Sequence, residues 1–263
     1  MSLIPRVLTI AGSDCSGCAG IQADLKTFGA LGVHGMSVVT CVTVQDTRQV
    51  YEVVELTGHQ VGRQIEVILE DIGANAVKTG MMPSAEIIES VAAHLERYRI
   101  ELLVVDPVMR STGGDSLIQD EAVTVLKKRL LPLATVVTPN LPEAEFLVQQ
   151  RIRSEQEIEA AARDILGLGP QAVIIKGGHL PNPDRSIDYL LDHDEFTLME
   201  GPRIDTQNTR GSGCTFASAL AAYLTQQLEL KEAVILAKEY VTEAIRHSLA
   251  LGHGNGPLGH FHT

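Results

Sequence analysis

The chain has 263 residues, which suits one large α/β domain or two small ones, and hydrophobic residues make up 44% of it. Its formal net charge of −12 argues against a nucleic-acid partner, and no segment reaches the roughly 18 apolar residues of a membrane span. The N-terminus lacks a signal-peptide pattern, and four cysteines in this length do not suggest a disulfide scaffold. We therefore expect a cytoplasmic protein with reduced cysteines.

Short, nearly continuous apolar runs alternate with amphipathic stretches along the chain. The runs predict buried strands within residues 7–11, 38–44, 76–78, 102–105, 134–137 and 172–175, and a hairpin at 188–192 and 195–199. Helical spacing predicts helices over 59–72 and 84–98, one capped at Ser154, and two within about 212–249. No linker or repeat interrupts this order. The pattern predicts one domain over residues 1–263, an α/β fold with a doubly wound, mostly parallel sheet.

Polar or charged residues follow nearly every predicted strand of this sheet. In such folds, ligands bind beyond the carboxyl ends of the strands. We therefore expect one active-site rim to be formed by the strand-end residues Asp14, Gln45, Lys78, Thr79, Asp106, Asn140 and Lys176.

The segment AGSDCSGCAG at residues 11–20 has the glycine frame of a phosphate-binding P-loop but lacks the Lys and Ser/Thr that must follow. It also lacks the Gly-x-Gly-x-x-Gly of a dinucleotide site. Cys15 and Cys18 have the spacing of a thioredoxin-like site, but nothing else indicates a redox fold. Two interpretations remain: a tight turn that needs glycine, or a loop whose backbone approaches a small molecule, with Asp14 pointing into the pocket.

A second glycine-rich segment, at residues 208–215, precedes a predicted helix of small residues. Glycines at a helix start let several main-chain N–H groups face one anion, and the helix dipole adds positive potential. Cys214 would lie in the first helical turn, where the pKa of a thiol falls. The alternative is a glycine-rich helix entry with a buried structural cysteine.

Oxygen ligands suited to Mg²⁺ occur in the middle of the chain. Asp106 follows a predicted strand, and Asn140 and Glu143 are three residues apart at the start of a short helix, so both can face one ion-sized space. The alternative for Glu143 is a negative charge that stabilises the start of its own helix.

Together these segments resemble the hydroxymethylpyrimidine/phosphomethylpyrimidine kinases of thiamine biosynthesis, which belong to the ribokinase-like superfamily. The similarity spans nearly the whole chain and rests on motifs in the family's order: AGSD and AGIQADLKT within 11–27, VTVQDT at 42–47, KTGM at 78–81, DPVM at 106–109, TPNLPEA at 138–144, KGGH at 176–179 and NT-x-G-x-GCT at 208–215. The resemblance implies a three-layer fold with helices on both faces of the sheet. It also implies ATP and Mg²⁺ as cofactors, a homodimer, and phosphorylation of 4-amino-5-hydroxymethyl-2-methylpyrimidine to its monophosphate and then its pyrophosphate.

The resemblance assigns a role to each candidate residue. It implies that Gln45 binds the aminopyrimidine and that the Cys214 thiol accepts the hydroxyl proton. The implied substrate-binding residues are Gly12, Asp14, Gly20, Gln45, Met81 and Val108. The implied nucleotide-binding residues are Asn140, Lys176 and Thr209, and the implied metal ligands are Asp106 and Glu143. The implied catalytic residues are Gly211, Ser212, Gly213 and Cys214.

The chain departs from the family pattern at Cys15, Cys18 and Arg210, and in the segment at 110–117 that acts as a flap in the family. We hypothesise that Arg210, which stands where His is common, further lowers the pKa of the Cys214 thiol. The closest alternative function is phosphorylation of pyridoxal or pyridoxine on the same fold. An alternative from another class is a non-catalytic pyrimidine sensor, against which the retained Cys214, glycines and carboxylates argue.

Overall fold

The computed structural model describes residues 4–109, 118–177 and 184–262. Its strands are β1 Arg6–Asp14, β2 His34–Gln45, β3 Val50–Glu55, β4 Ala76–Thr79, β5 Leu103–Val105, β6 Val136–Val137, β7 Ala172–Lys176, β8 Arg185–Asp192 and β9 Glu195–Pro202. They form one sheet in the order β3-β2-β1-β4-β5-β6-β7-β8-β9. The six central strands β2, β1, β4, β5, β6 and β7 are parallel to one another. At the two edges, β3, β8 and β9 pair antiparallel. The predicted mostly parallel sheet is confirmed.

Helices cover both faces of the sheet. They are α1 Gly20–Ala30, α2 Gly58–Asp71, α3 Ala85–Arg97, α4 Asp120–Val125, α5 Leu141–Val148, α6 Glu155–Leu166, α7 Ser212–Leu224 and α8 Leu230–Arg246. Alternate strand residues face opposite sides, so Leu8 packs with the α2–α6 layer and Val7 with the layer of α1, α7 and α8. These two aliphatic cores make the fold three-layered, as expected. Within the described ranges, no helix combines the length and apolar character needed to cross a bilayer.

Local signals in the sequence fix where several helices begin. Ser154 caps α6, and Glu157 returns the hydrogen bond, so the predicted capping box is confirmed. Thr57 with Gln60 at α2 forms a second reciprocal cap. The sequence pattern predicts a break between two helices within about 212–249, and the structure has it between α7 and α8. Gln227 lies in this break with a positive φ of 61°.

The edge strand β3 is not predicted from the sequence. Its residues Val50–Glu55 are mostly exposed, so they form no buried apolar run. Several strands also extend beyond the predicted runs at their carboxyl ends. β1, for example, continues to Asp14, because its last residues pair with β2 across a register shift rather than through a continuous apolar segment.

Candidate active site

A cavity of about 740 Å³ lies at the carboxyl ends of the parallel strands. The cavity is lined by every residue to which the resemblance assigns a role: Gly12, Asp14, Gly20, Gln45, Met81, Asp106, Val108, Asn140, Glu143, Lys176, Thr209, Gly211, Ser212, Gly213 and Cys214. The structure therefore brings together residues separated by up to about 200 positions, at the place where a doubly wound sheet binds its ligands.

Two strand-end residues do not belong to this rim. Lys78 and Thr79 are fully buried, and neither lines the cavity. Because β4 continues through Thr79, Lys78 pairs with Thr9 within the ladder and its side chain contacts α1. Its Nζ donates to both carboxylate oxygens of Asp24, at 2.9 and 3.0 Å, and the hydroxyls of Thr9 and Ser218 donate to the same carboxylate. The prediction that Lys78 and Thr79 contribute to the rim was wrong.

The glycine-rich loop after β1 is held by its own aspartate. The Asp14 carboxylate accepts hydrogen bonds from the main-chain N–H groups of Ser16, Cys18 and Ala19, at 2.8, 3.1 and 2.7 Å. Asp14 lines the cavity, but both of its oxygens are thus engaged by the loop. Gly20 has a φ of +58°, and a Cβ there would collide with the carbonyl oxygen of Gly12. The tight glycine turn is therefore confirmed, and the approach of this backbone to a small molecule stays a prediction for a loop that lines the cavity.

The two cysteines of this loop are free thiols in different surroundings. Cys15 is exposed, and its Sγ lies 3.2 Å from the main-chain oxygen of Gln45. Cys18 is buried, and its Sγ lies 3.7 Å from the main-chain oxygen of Ser16. Each thiol thus has its own main-chain carbonyl partner.

The second glycine-rich loop forms the N-terminus of α7. Gly211 is the N-cap of this helix with a φ of +85°, and a Cβ at this position would collide with the carbonyl of Cys18. A Cβ on Gly213 would lie 3.2 Å from Lys176 Nζ. The first N–H groups of a helix have no intrahelical acceptor. The loop therefore presents main-chain donors to the cavity beside a lysine ammonium group, which suits an anion.

Lys176 links the glycine loop to two carboxylates. Its Nζ lies 2.9 Å from Asp106 Oδ1, and Thr138 contacts the same oxygen at 3.4 Å. Burial alone would lower the pKa of Lys176, but Asp106 and Glu143 outweigh it, and the pKa rises. Burial raises the pKa of Glu143 to about 7, although Lys176 opposes the shift.

Asn140 and Glu143 form a reciprocal cap at the start of α5. Asn140 Oδ1 accepts from the Glu143 N–H at 2.9 Å, and Glu143 Oε2 accepts from the Asn140 N–H at 2.8 Å. The helix-stabilising alternative for Glu143 is therefore correct in part. The Glu143 carboxylate also interacts with Lys176 and Asp106, whereas the side-chain oxygen of Asn140 is used by the cap.

Cys214 lies in the first turn of α7, partly exposed to the cavity. Burial raises the pKa of its thiol to about 11, opposed by the Lys78 ammonium and by the Gly20 N–H. The predicted lowering was wrong, because burial outweighs the nearby positive charge. The hypothesis for Arg210 gains no support: its guanidinium donates to Gln45 Oε1 at 2.6 Å, and the largest effect that lowers the pKa of Cys214 comes from Lys78.

The cavity extends onto a face of α8 that the sequence reasoning did not assign. Lys238 Nζ donates to Asp188 Oδ2 at 2.7 Å, and Asp188 Oδ1 accepts from the Gly177 N–H at 3.0 Å. Val241 and Ile245 line the cavity three and seven positions after Lys238. This helical spacing can be read from the sequence, but it does not distinguish a cavity wall from a core face. The expectations for residues 110–117 and 178–179 concern segments outside the described residues.

A family model described as phosphomethylpyrimidine kinase matches residues 14–259 of the chain. The chain belongs to this family. It is 45% identical over 258 residues to the hydroxymethylpyrimidine/phosphomethylpyrimidine kinase of Bacillus subtilis, covering 98% of this chain and 95% of that protein. It is 50% identical over 254 residues to the thiamine biosynthesis bifunctional protein ThiED of Geobacter sulfurreducens, covering 97% of this chain but 52% of that relative. The chain thus spans about half of that bifunctional relative.

A solved structure of Bacillus subtilis pyridoxal kinase in complex with ADP has the same fold. It matches with a TM-score of 0.92 and 39% identity, and the match covers 98% of each chain. These comparisons confirm the expected ribokinase-like fold. They also place the chain in a family of kinases.

Proposed function

We propose that the chain transfers the terminal phosphoryl group of ATP to 4-amino-5-hydroxymethyl-2-methylpyrimidine, and then to the resulting monophosphate, in thiamine biosynthesis. One observation carries the proposal: Gln45 and the glycine loop at 211–214 line the same cavity. A carboxamide presents a donor and an acceptor side by side, as does the edge of an aminopyrimidine. The name of the relative at 45% identity supports this substrate class, and the name of the relative at 50% identity supports a role in thiamine biosynthesis. We assign the activity to one domain over residues 1–263.

The arrangement suits phosphoryl transfer, which depends mainly on positioning and charge neutralisation. The N–H groups of Gly213 and Cys214, with the Lys176 ammonium, would share the charge of the γ-phosphoryl group. The substrate hydroxyl oxygen forms a bond to the γ-phosphorus as the bond to ADP breaks. The hydroxyl proton passes to the Cys214 thiolate, which becomes the thiol. The raised pKa of this thiol makes its thiolate a strong but scarce base, and the nearby Lys78 ammonium favours the thiolate.

The residues present fit a Mg²⁺ ion that arrives with the nucleotide. Such ions take one or two carboxylates together with water and phosphate oxygens, and Asp106 and Glu143 both line the cavity and interact electrostatically. Among the described residues, no cluster of three or more ligating side chains forms a closed metal site. When bound, the ion would neutralise phosphate charge. Asp106 and Glu143 would hold it, while Lys176 remains close to Asp106.

A Glu143→Gln substitution tests this assignment. The amide retains the shape of the carboxyl group and an oxygen that can accept from the Asn140 N–H, but it removes the negative charge. We expect the Mg²⁺ concentration for half-maximal activity to rise roughly tenfold, while KM for the pyrimidine changes little. A matched control is Glu145→Gln on the same helix, whose carboxylate contacts Arg151 and the Ile152 N–H. An unchanged Mg²⁺ requirement in Glu143→Gln would contradict the assignment.

The substrate is tested by direct assay of the purified chain with ATP and Mg²⁺. We expect phosphorylation of hydroxymethylpyrimidine with a kcat/KM at least about tenfold above that for pyridoxal, a margin of about 1.4 kcal/mol in transition-state binding. The match to a pyridoxal kinase structure is the observation that favours the second candidate. A pyridoxal preference would replace the proposed substrate, and tight pyrimidine binding without turnover would indicate a sensor.

We also propose a homodimer in the cytoplasm. Support for the dimer comes from apolar side chains at the β2–β3 edge, where Val42, Val44, Tyr51 and Val54 are 44–52% exposed. Exposed apolar residues on a sheet edge favour association. Light scattering should therefore give twice the monomer mass of 28.4 kDa.

A further inference from the structure

Arg210 places a buried positive charge at the cavity. The residue is only 4% exposed, lines the cavity and immediately precedes the glycine loop at 211–214. Its backbone is held by a hydrogen bond from its N–H to the Gly256 oxygen. Its Nη2 donates to Gln45 Oε1 at 2.6 Å, while its Nε has no hydrogen-bond partner among the described residues.

The charge of Arg210 is not balanced by a carboxylate in the described part of the chain. The three buried or nearly buried lysines near the cavity each contact one: Lys78 with Asp24, Lys176 with Asp106 and Lys238 with Asp188. The described contact of the Arg210 guanidinium is instead a neutral carboxamide. A buried charge is unfavourable unless it is paired, and a guanidinium matches the geometry of phosphate oxygens. A bound anion would therefore stabilise the Arg210 guanidinium, because no carboxylate of the described residues pairs with it.

The position of Arg210 indicates which anion this is. In the monophosphate substrate, the phosphomethyl group is on the ring carbon next to the one that carries the amino group. A side chain in contact with Gln45 is therefore within reach of this ester if Gln45 binds the amino edge. We propose that Arg210 binds the phosphate ester of the monophosphate and is a specificity-determining residue for the second phosphorylation. The inference rests on the proposed function.

The two phosphorylation steps make different demands on the site. In the second step, an ester oxygen forms a bond to the γ-phosphorus of ATP, and the bond to ADP breaks. The second pKa of a phosphate monoester is about 6, so the attacking oxygen carries no proton at neutral pH and needs no base. The obstacle is instead repulsion between two phosphate groups. Arg210 reduces this repulsion in the second step, whereas Cys214 accepts the proton released in the first.

Steady-state kinetics on both substrates test this division. We expect Arg210→Met to lower kcat/KM for the monophosphate about 100-fold and that for hydroxymethylpyrimidine by less than about tenfold, with KM for ATP unchanged. Arg210→Lys retains the charge without the planar fork and should fall between Arg210→Met and the wild type. The matched control is Arg163→Met on α6, where Arg163 pairs with Glu159 outside the cavity. It should leave both steps unchanged.

Two kinetic results would overturn the inference. Equal losses on both substrates would show that Arg210 acts only through Gln45, and a raised KM for ATP on both would show that its anion is a nucleotide phosphate. If Arg210→Met does not fold, Arg210→Lys carries the comparison, together with calorimetric binding of the two pyrimidines without ATP. We expect the wild type to bind the monophosphate more tightly than hydroxymethylpyrimidine. A smaller preference in Arg210→Lys supports the inference, and an unchanged preference contradicts it. If the wild type phosphorylates neither pyrimidine, the proposed function fails, and the inference fails with it.

Discussion

Replacing Cys214 by alanine should lower kcat for phosphorylation of hydroxymethylpyrimidine by a factor of roughly 10²–10⁴, because the substrate hydroxyl would lose its proposed general base. We expect KM for ATP to stay close to the wild-type value, since the main-chain donors of the loop remain. The monophosphate step should fall much less, because its attacking oxygen carries no proton at neutral pH. Initial rates on the two substrates, measured separately at saturating ATP, provide the test.

Two further measurements test the assignment of Cys214. Cys15→Ala is the matched control, because this exposed cysteine does not line the cavity. Burial raises the pKa of Cys214 to about 11, so alkylation of this thiol in the Cys15→Ala background should be slow at neutral pH and accelerate as the pH rises toward that value. Equal losses in both phosphorylation steps, or a kcat that scarcely moves, would show that Cys214 is not the base.

Replacing Gly211 by alanine should have the second large effect. Gly211 has a φ of +85°, and a Cβ there would collide with the main-chain carbonyl of Cys18, which cannot move without the loop after β1. We expect a loss of about 1–3 kcal/mol in the free energy of unfolding from the strained backbone. We also expect kcat/KM to fall roughly 10²–10³-fold for both substrates, because the displaced N–H groups no longer face the transferred phosphoryl group.

The control for Gly211 is Gly32→Ala. Gly32 has a similar φ of +71°, but no atom lies within 4 Å of the position that a Cβ would occupy, and the residue is outside the cavity. This variant should lose about 1 kcal/mol of stability and retain wild-type kinetics. Chemical unfolding and initial rates on both variants separate backbone strain from the loss of the anion site. Wild-type activity in Gly211→Ala would contradict the role of the loop.

The central sheet could be predicted from the sequence because its strands are buried on both faces. Their continuous apolar runs, for example around Val104 and Ile174, are distinctive in a chain with few aromatic residues. The edge strand β3 could not be found in this way, since one exposed strand with mixed polarity resembles a loop. The reciprocal cap at Ser154 could be predicted, because it depends on residues three positions apart.

The candidate site could be located from the sequence, but not all of its interactions could. The strand-end rule places Asp14, Gln45, Asp106, Asn140 and Lys176 at the cavity, as observed. It fails for Lys78 and Thr79, because one extra residue of pairing in β4 leaves both buried. The balance of burial against local charge that raises the pKa of Cys214, and the contact between Arg210 and Gln45 across 165 positions, depend on the tertiary structure. No local pattern in the sequence predicts them.

We infer that the main-chain amides at the start of α7 hold the terminal phosphoryl group while Gln45 binds the pyrimidine in the same cavity. A crystal structure with hydroxymethylpyrimidine and a non-hydrolysable ATP analogue tests it most directly. We predict γ-phosphate oxygens within hydrogen-bond distance of the Gly213 and Cys214 N–H groups, and the amino edge of the pyrimidine against the Gln45 carboxamide. Phosphates bound instead at the loop between Gly12 and Gly17, away from α7, would contradict the account.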